Sequence, residues 1–467
     1  MKVTVLVKIE VQQTDMPLTE QILCLQRDEL TAENLGLTLD EAKTLLANLQ
    51  TQIAQIQTAQ HIDTHRKCGE CGRTRPQKGR HELVFDTLFG KLRLESPRFY
   101  TCDCQPHEKK SESPLAGCLT ERIAPELIYL QTKWAALMPY GVTVQRLEDV
   151  LPINANVATV HRRVQSAGQR IESELDDENQ APAKAQTKQT LAKPVDISSM
   201  SIGIDSCFVH RREIRMPKAG FLEVIVGKCI TTTGEKRCFG FVKGYQTEPG
   251  RRVQQSITAL GLPPNQPVTF LSDAEGTIRD LAADLSPDSE HILDWFHVTK
   301  RITVMRQMAR GLPPLKGLAH ILPDLKRVKW HLWHGNHVKA ERRLNCLRFD
   351  LEQINFSQYP KVAKLLQAVD QCRTYVLNNR RYMVNYRERY HNGERISPGF
   401  AESAVNQVVS KRFVKKQQMR WSQKGAHLLL QIRVQVLNDE WLATFERWYP
   451  NIPRVEENLK LAAWPPV

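Results

Sequence analysis

Apolar and polar residues alternate through the opening segment MKVTVLVKIEVQQTD, the pattern of a half-buried strand. Over residues 17–60 the period changes to helical spacing of leucine and isoleucine. The run TLDEAKTLLANL begins on a capping residue, Thr38, followed by acids in the first turn. Residues 1–60 are therefore expected to be a strand and a helical region. Within residues 61–118 the runs Phe85 to Phe89 and Leu92 to Phe99 read as two strands of a hairpin that turns at Gly90. Residues 119–177 return to a helical pattern. There VTVQRLEDVLPINANVATVHRRVQSAGQRIESEL reads as helix, short turn with Asn and Pro, then helix, a helix-turn-helix outline. Residues 178–196, rich in Gln, Ala, Lys and Pro and almost without large apolar side chains, read as a linker.

Beyond the linker, SIGIDSCFVH, FLEVIVGKCITT and RCFGFVKGY form three strand-like runs separated by turns, as in an antiparallel meander. A helical pattern, RRVQQSITALGL, follows. Then come the strand and helix of PVTFLSDAEGTIRDLAADL and a further strand, HILDWFHV. Strands first, then alternating helix and strand, predict an α/β domain with a mixed sheet whose first strand lies beside its fourth. This core covers residues 197–299. Residues 300–395 read as a helical insertion, and residues 396–467 complete the core with a further helix and a C-terminal tail.

Candidate chemistry follows from that topology. Asp205 sits midway along the first strand of the core, and Asp273 lies just past the carboxyl end of VTFLS. Adjacent strands bring the two together, and two carboxylates so placed repel unless a divalent cation lies between them. Magnesium, or manganese, suits such an all-oxygen site. A third carboxylate comes from GERISPGFAESAVNQVVSKRFVKKQQMRW, where Ser397 caps, Pro398 takes the first helical position and Glu402 lies in the early turns. At about 100° per residue Asn406, Phe413, Lys416 and Arg420 come round to the face of Glu402. Glu402 is the one acid between Arg395 and Arg420, among Lys411, Arg412, Lys415 and Lys416. That setting suits a metal ligand beside a phosphate track. Asp294, which also ends a strand, competes for a ligand position or helps from behind the site through His297.

Charge and cysteine content extend the picture. The chain has 467 residues, with 65 Lys and Arg against 51 Asp and Glu, a formal charge of +14 that favours a polyanion such as nucleic acid. No apolar run approaches the span of a bilayer and the N-terminus lacks a signal peptide's apolar block, so a cytosolic protein without a membrane partner is expected. Of the 11 cysteines, Cys68 and Cys71 form a C-x2-C, and Cys102 and Cys104 form a C-x-C across the hairpin. Four thiolates at the ends of one hairpin suit a tetrahedral zinc, with His107 or Cys118 as substitutes if Cys104 points away. In the helix-turn-helix outline, Thr159, His161, Arg162, Arg163 and Gln165 lie near the start of the second helix, as residues that reach phosphates and base edges.

The runs LSDAEGTIRDLA, HILDWFHVTKRI and FAESAVNQVVSKRFVKKQQMRWSQKGAHLLLQIR strongly resemble bacterial insertion-sequence transposases of the ISKra group. The resemblance covers most of the chain, the cysteine-bearing hairpin included. It implies an RNase H-like catalytic domain with a DDE triad of Asp205, Asp273 and Glu402. It also implies two-metal cleavage and strand transfer of transposon-end DNA, and a chain associated with the nucleoid, assembling with copies of itself on DNA. Asp294 is then structural, or a support to the site through His297. Trp330 and Trp333 of the insertion either stack on unpaired bases or belong to a helical core. A nuclease of the same fold that does not join ends, or a repressor with an idle triad, are the alternative expectations.

Overall fold

The computed structural model describes residues 1–10, 18–104, 110–180, 200–212, 220–246, 248–262, 267–273, 280–281, 289–313, 318–397, 399–414 and 419–453, without the side chains of 176–180 and 400–402. The expected linker beyond residue 180, His107, Pro398, Lys415 and Lys416 lie outside the described residues. The chain divides into two compact units, Met1–Gln169 with Glu440–Val467, and Arg170–Asp439.

In the first unit, β1 (Lys2–Ile9) and β2 (Leu18–Gln26) pair antiparallel, and α1 (Leu39–Arg66) follows. Thr38 opens α1 in a reciprocal capping box: the Thr38 hydroxyl accepts from the Glu41 amide while the Glu41 carboxylate accepts from the Thr38 amide. The hairpin strands, β3 (Gln77–Thr87) and β4 (Gly90–Tyr100), are longer than the apolar runs suggest. Residues 77–82 are exposed, so pairing continues where no burial imprints an alternation. The strands close at Thr87 and Gly90, whose φ of +113° favours glycine. Next come β5 (Ser111–Glu112), α2 (Pro114–Cys118), α3 (Pro125–Leu137), α4 (Tyr140–Val150) and α5 (Val157–Gln180). The helix, turn and helix read from VTVQRLEDVL onward are α4 and α5, with α3 ahead of them, and α5 runs past the expected linker boundary. A terminal helix, Trp441–Trp448, packs on α3 through Phe445 and Tyr129. This corrects the assignment of residues 396–467 to the catalytic core: from Glu440 onward the chain belongs to the first unit.

The second unit is built on a five-stranded mixed sheet of β6 (Met200–His210), β7 (Phe221–Thr231), β8 (Lys236–Val242), β9 (Thr269–Ser272) and β10 (Glu290–Leu293). Its order is β10-β9-β6-β7-β8, with β6, β7 and β8 antiparallel, and β6, β9 and β10 parallel. The first strand lies beside the fourth, as the pattern of elements predicts. Gly227 lets the sheet close, since a Cβ there would meet the Phe239 ring across the ladder at 2.1 Å. One face of the sheet holds α6 (Pro249–Ala259), whose Val253 and Ile257 join Ile202, Ile204, Phe239 and Phe270 in a core. After β10 come α7 (Trp295–Arg310), α8 (Ile321–Trp333), α9 (His337–Glu352) and α10 (Pro360–Asn379), which share a second core with Leu293 of the sheet, and then α11 (Tyr386–His391).

The Glu402 helix departs from the expected phase. It is an α-helix over Gly399–Ala404 (α12) and widens to π geometry over Val405–Val414, so an advance of 100° per residue does not hold from Glu402 to Phe413, and Arg420 lies beyond the helix. Arg433, from α13 (Gln423–Leu437), donates to the carbonyls of Gln407 and Val408 in the widened stretch. A buried side chain entering the backbone ladder is a known cause of such distortion.

Burial also encloses a polar cluster. Arg252 on α6 donates to Glu172 of α5 and, at 2.8 Å, to Gln431 of α13, while His427 Nε2 lies 3.1 Å from Glu172. His427 Nδ1 accepts the Val242 amide at 3.3 Å, which leaves its proton on Nε2 facing the carboxylate. Burial holds the His427 pKa below its ordinary value of 6.5, against the pull of Glu172. The unfolded chain therefore takes up this proton first, and stability should begin to fall as pH drops below about 6.5. Glu172→Ala leaves the buried Arg252 without its carboxylate, though still bonded to Gln431, and should cost about 3 kcal/mol in denaturant unfolding at neutral pH. A loss under 1 kcal/mol would show that the cluster carries no such weight.

Candidate catalytic face and cysteine cluster

Asp205 lies midway along β6, where its carboxylate is half-buried and accepts the Ser206 amide at 2.8 Å. Burial raises its pKa, the nearby Asp273 and Asp294 raise it further, and the Ser206 amide and His297 oppose them. Asp273 follows β9 directly, and β9 pairs with β6 over Thr269–Leu271. The sheet thus gathers three carboxylates and one imidazole within electrostatic reach. Ionised together they destabilise one another, a setting that a hard divalent cation relieves.

Asp294 is 3% exposed and fully engaged. Its amide donates to the Ser272 carbonyl, and its Oδ1 accepts from the Phe296 amide at 2.7 Å, capping α7. The same oxygen accepts from the Ser397 hydroxyl at 2.7 Å, and Oδ2 lies 2.9 Å from His297 Nδ1. Asp294 raises the His297 pKa most, with Asp205 and Asp273 adding to it against burial. The loop before α12 is also held by a bond from the Trp295 amide to the Ile396 carbonyl. The backbone of Glu402 runs in α12, which packs on β6 and β7; its side chain is outside the described residues.

Two residues that the sequence did not signal complete this face. Tyr375 of α10 donates to the Asp273 carbonyl at 3.3 Å, and Tyr386 of α11 donates to the Leu293 carbonyl at 2.9 Å. Neither belongs to a motif, because each contact depends on how the insertion folds back onto the sheet.

The cysteines converge at one end of the hairpin of the first unit. Cys68 Sγ is 3.4 Å from Cys104 Sγ, Cys71 Sγ is 3.4 Å from Cys102 Sγ, and all four sulfurs lie within 4.8 Å of one another. A tetrahedral zinc with bonds of about 2.3 Å sets its sulfurs ~3.8 Å apart, so the set fits. The knuckle is shaped by the Cys68 amide on the Arg73 carbonyl, the Gly72 amide on the Cys68 carbonyl, and Gly72 at φ +70°. The amides of Cys71 and Glu70 draw the Cys68 pKa down to about 6, whereas the thiols of Cys102, Cys68 and Cys71 push Cys104 upward. Cys118 instead lies 3.7 Å from His61 and is not in the set. Among the described residues these four cysteines are the one group of three or more such side chains whose ligand atoms meet closely enough for a single ion.

The structure separates the residues expected at DNA. Arg162 is exposed, beside Thr159. Arg163 instead pairs with Asp86 of β3 at 2.5 Å and bonds to Gln131 of α3, which corrects its assignment to base edges. Lys411 and Arg420 are exposed, and Arg420 directly precedes Trp421, outside the helix that ends at Val414. Arg412 is fully buried, 5.3 Å from the Trp421 ring, and so does not face a phosphate track. Trp330 is 55% exposed, but Trp333 is half-buried against Trp295 and Tyr390, in keeping with a place in the helical core.

No family model matches the chain, and no curated protein matches it. Among solved structures, the Drosophila P element transposase strand transfer complex is similar to it over 70% of this chain and 81% of that one, at 11% identity and a TM-score of 0.25. So loose a superposition transfers no residue roles. Among the described residues no helix is long and apolar enough to cross a membrane.

Freshly purified, reduced protein should contain about one zinc per chain by elemental analysis, lost when Cys68 and Cys71 are both replaced by serine. Metal-free protein with an intact hairpin would remove zinc from this cluster.

Proposed function

We propose that the chain is a DNA transposase of the DDE type, with an RNase H-like catalytic domain, that cleaves and joins the ends of an insertion sequence related to the ISKra group. The observation that carries this reading is the juxtaposition of Asp205 on the first strand of the mixed sheet, Asp273 at the end of its parallel neighbour, and the helix of Glu402 packed on β6 and β7. The donors are oxygens, which fits magnesium or manganese. Two such ions, when bound, supply activation of the attacking oxygen and stabilisation of the leaving one in an in-line displacement.

The chain's own residues divide the remaining work. Asp205 offers its carboxylate from within β6 and Asp273 from just beyond β9, and Glu402 offers the third from α12. Asp294 orients His297 and ties the start of α7 to the loop that leads into α12. His297, held toward its protonated form by these carboxylates, offsets part of their charge. The net charge of +14 and the exposed Lys411, Arg420 and Arg162 suit a DNA duplex.

Glu402→Gln, Asp205→Asn and Asp273→Asn should each reduce cutting and joining of labelled duplex ends roughly 10³-fold or more while DNA binding persists, and the losses should not add. Asp294→Asn keeps the capping and Ser397 contacts within reach of its amide oxygen and should retain measurable cutting. Near wild-type cutting by Glu402→Gln, with Asp294→Asn dead, would make Asp294 the third ligand instead.

Phosphate contacts predict a different signature. Replacing Lys411 and Arg420 with glutamine should weaken binding alike for all duplex sequences and flatten the logarithmic salt slope by about 0.9 per contact. An unchanged slope in fluorescence titrations would exclude both residues from the DNA track.

A further inference from the structure

Helix α1 has no buried residue, although it spans 28 positions: Ala54 and Ile62 pack against the core of Leu83, Leu92, Leu94 and Leu115, while Leu46, Leu49 and Ile53 line an open groove. The groove, of about 410 Å³, is lined by Leu46, Leu49 and Ile53 of α1 on one side and by Phe85, Phe89 and Leu119 on the other, and none of its lining residues is charged. Leu46 is 38% exposed and Ile53 42%. A charge-free apolar groove on a chain of net charge +14 calls for an apolar occupant.

The same unit contains a candidate. After the terminal helix, Tyr449 donates from its hydroxyl to Glu121 at 2.6 Å, and Glu121 is two residues from Leu119 at the groove's rim. Description ends at Pro453, so residues 454–467, RVEENLKLAAWPPV, leave from this neighbourhood. Their two basic and two acidic side chains cancel, and LAAWPPV carries no charged side chain but offers Leu461, Trp464 and Val467. Fourteen residues extend up to about 50 Å, ample for a rim this close. Tethering also gives such a segment an effective concentration in the millimolar range.

We propose that residues 454–467 dock in cis into the groove between α1 and the β3–β4 hairpin, with Trp464 as the anchor. The segment then covers the part of the α1 seam, around Leu46 and Ile53, that the hairpin core leaves exposed.

A photo-crosslinking amino acid placed at position 464 of the full chain tests this. Crosslinks within one chain to the peptides spanning Leu46–Thr58 or Phe85–Leu94, read by mass spectrometry on a mixture of light and heavy chains, are the expected result. Light-to-heavy crosslinks would assign the groove to a second copy, and crosslinks elsewhere or none would also overturn the proposal. Because the probe replaces Trp464, hydrogen exchange is compared between the unmodified chain and one ending at Pro453. Docking requires loss of protection over residues 45–58 in the shorter chain, and unchanged exchange there would overturn it.

Discussion

One buried carboxylate sets the geometry on which the candidate catalytic face depends. Asp294 is joined to the end of β9 through its backbone, to the first turn of α7 through one oxygen, and to Ser397 through that same oxygen. A carboxyl group with 3% exposure is held in the interior by its polar contacts, and here Oδ1 accepts two hydrogen bonds. The strand ends and the root of the Glu402 helix are therefore fixed to a common point. His297 takes the other oxygen, which couples the frame electrostatically to Asp205 and Asp273.

Elsewhere in the second unit, buried charge serves architecture. Arg252, Glu172 and His427 form a closed set against β8, and Arg433 spends its donors on the carbonyls of a widened helix. Burial lowers the Arg433 pKa to about 10, with Arg412 nearby adding to the effect, so the guanidinium remains charged at neutral pH. Basic residues in the C-terminal part of this unit thus have two separate roles. Arg412 and Arg433 face inward, while Lys411 and Arg420 remain at the surface.

Much of the frame was legible in the sequence because burial leaves a periodic trace. The meander, the parallel pairing of β6 with β9, the capping box at Thr38 and the convergence of the two cysteine pairs all follow from local patterns. What escaped depends on distant contacts. Nothing near Arg163 announces Asp86, and nothing in KRF distinguishes the buried Arg412 from the exposed Lys411. The phase drawn for the Glu402 helix failed because an α-helical period was assumed where Arg433, from another helix, binds the backbone. The placement of Trp441–Trp448 escaped for a related reason: an amphipathic helix shows that it has a partner without naming it, and here the partner is α3.

The helical insertion has a further significance through Leu293. That residue is the last of β10 and also a fully buried member of the core built by the inserted helices, and its carbonyl receives the Tyr386 hydroxyl. Asp294 is the next residue in the chain. A segment inserted into a fold can in principle melt as a separate cooperative block, but this one shares a core residue with the strand that leads into the candidate site. Cutting out the insertion would therefore expose Leu293 and remove the Tyr386 bond to its carbonyl, at the residue that immediately precedes Asp294.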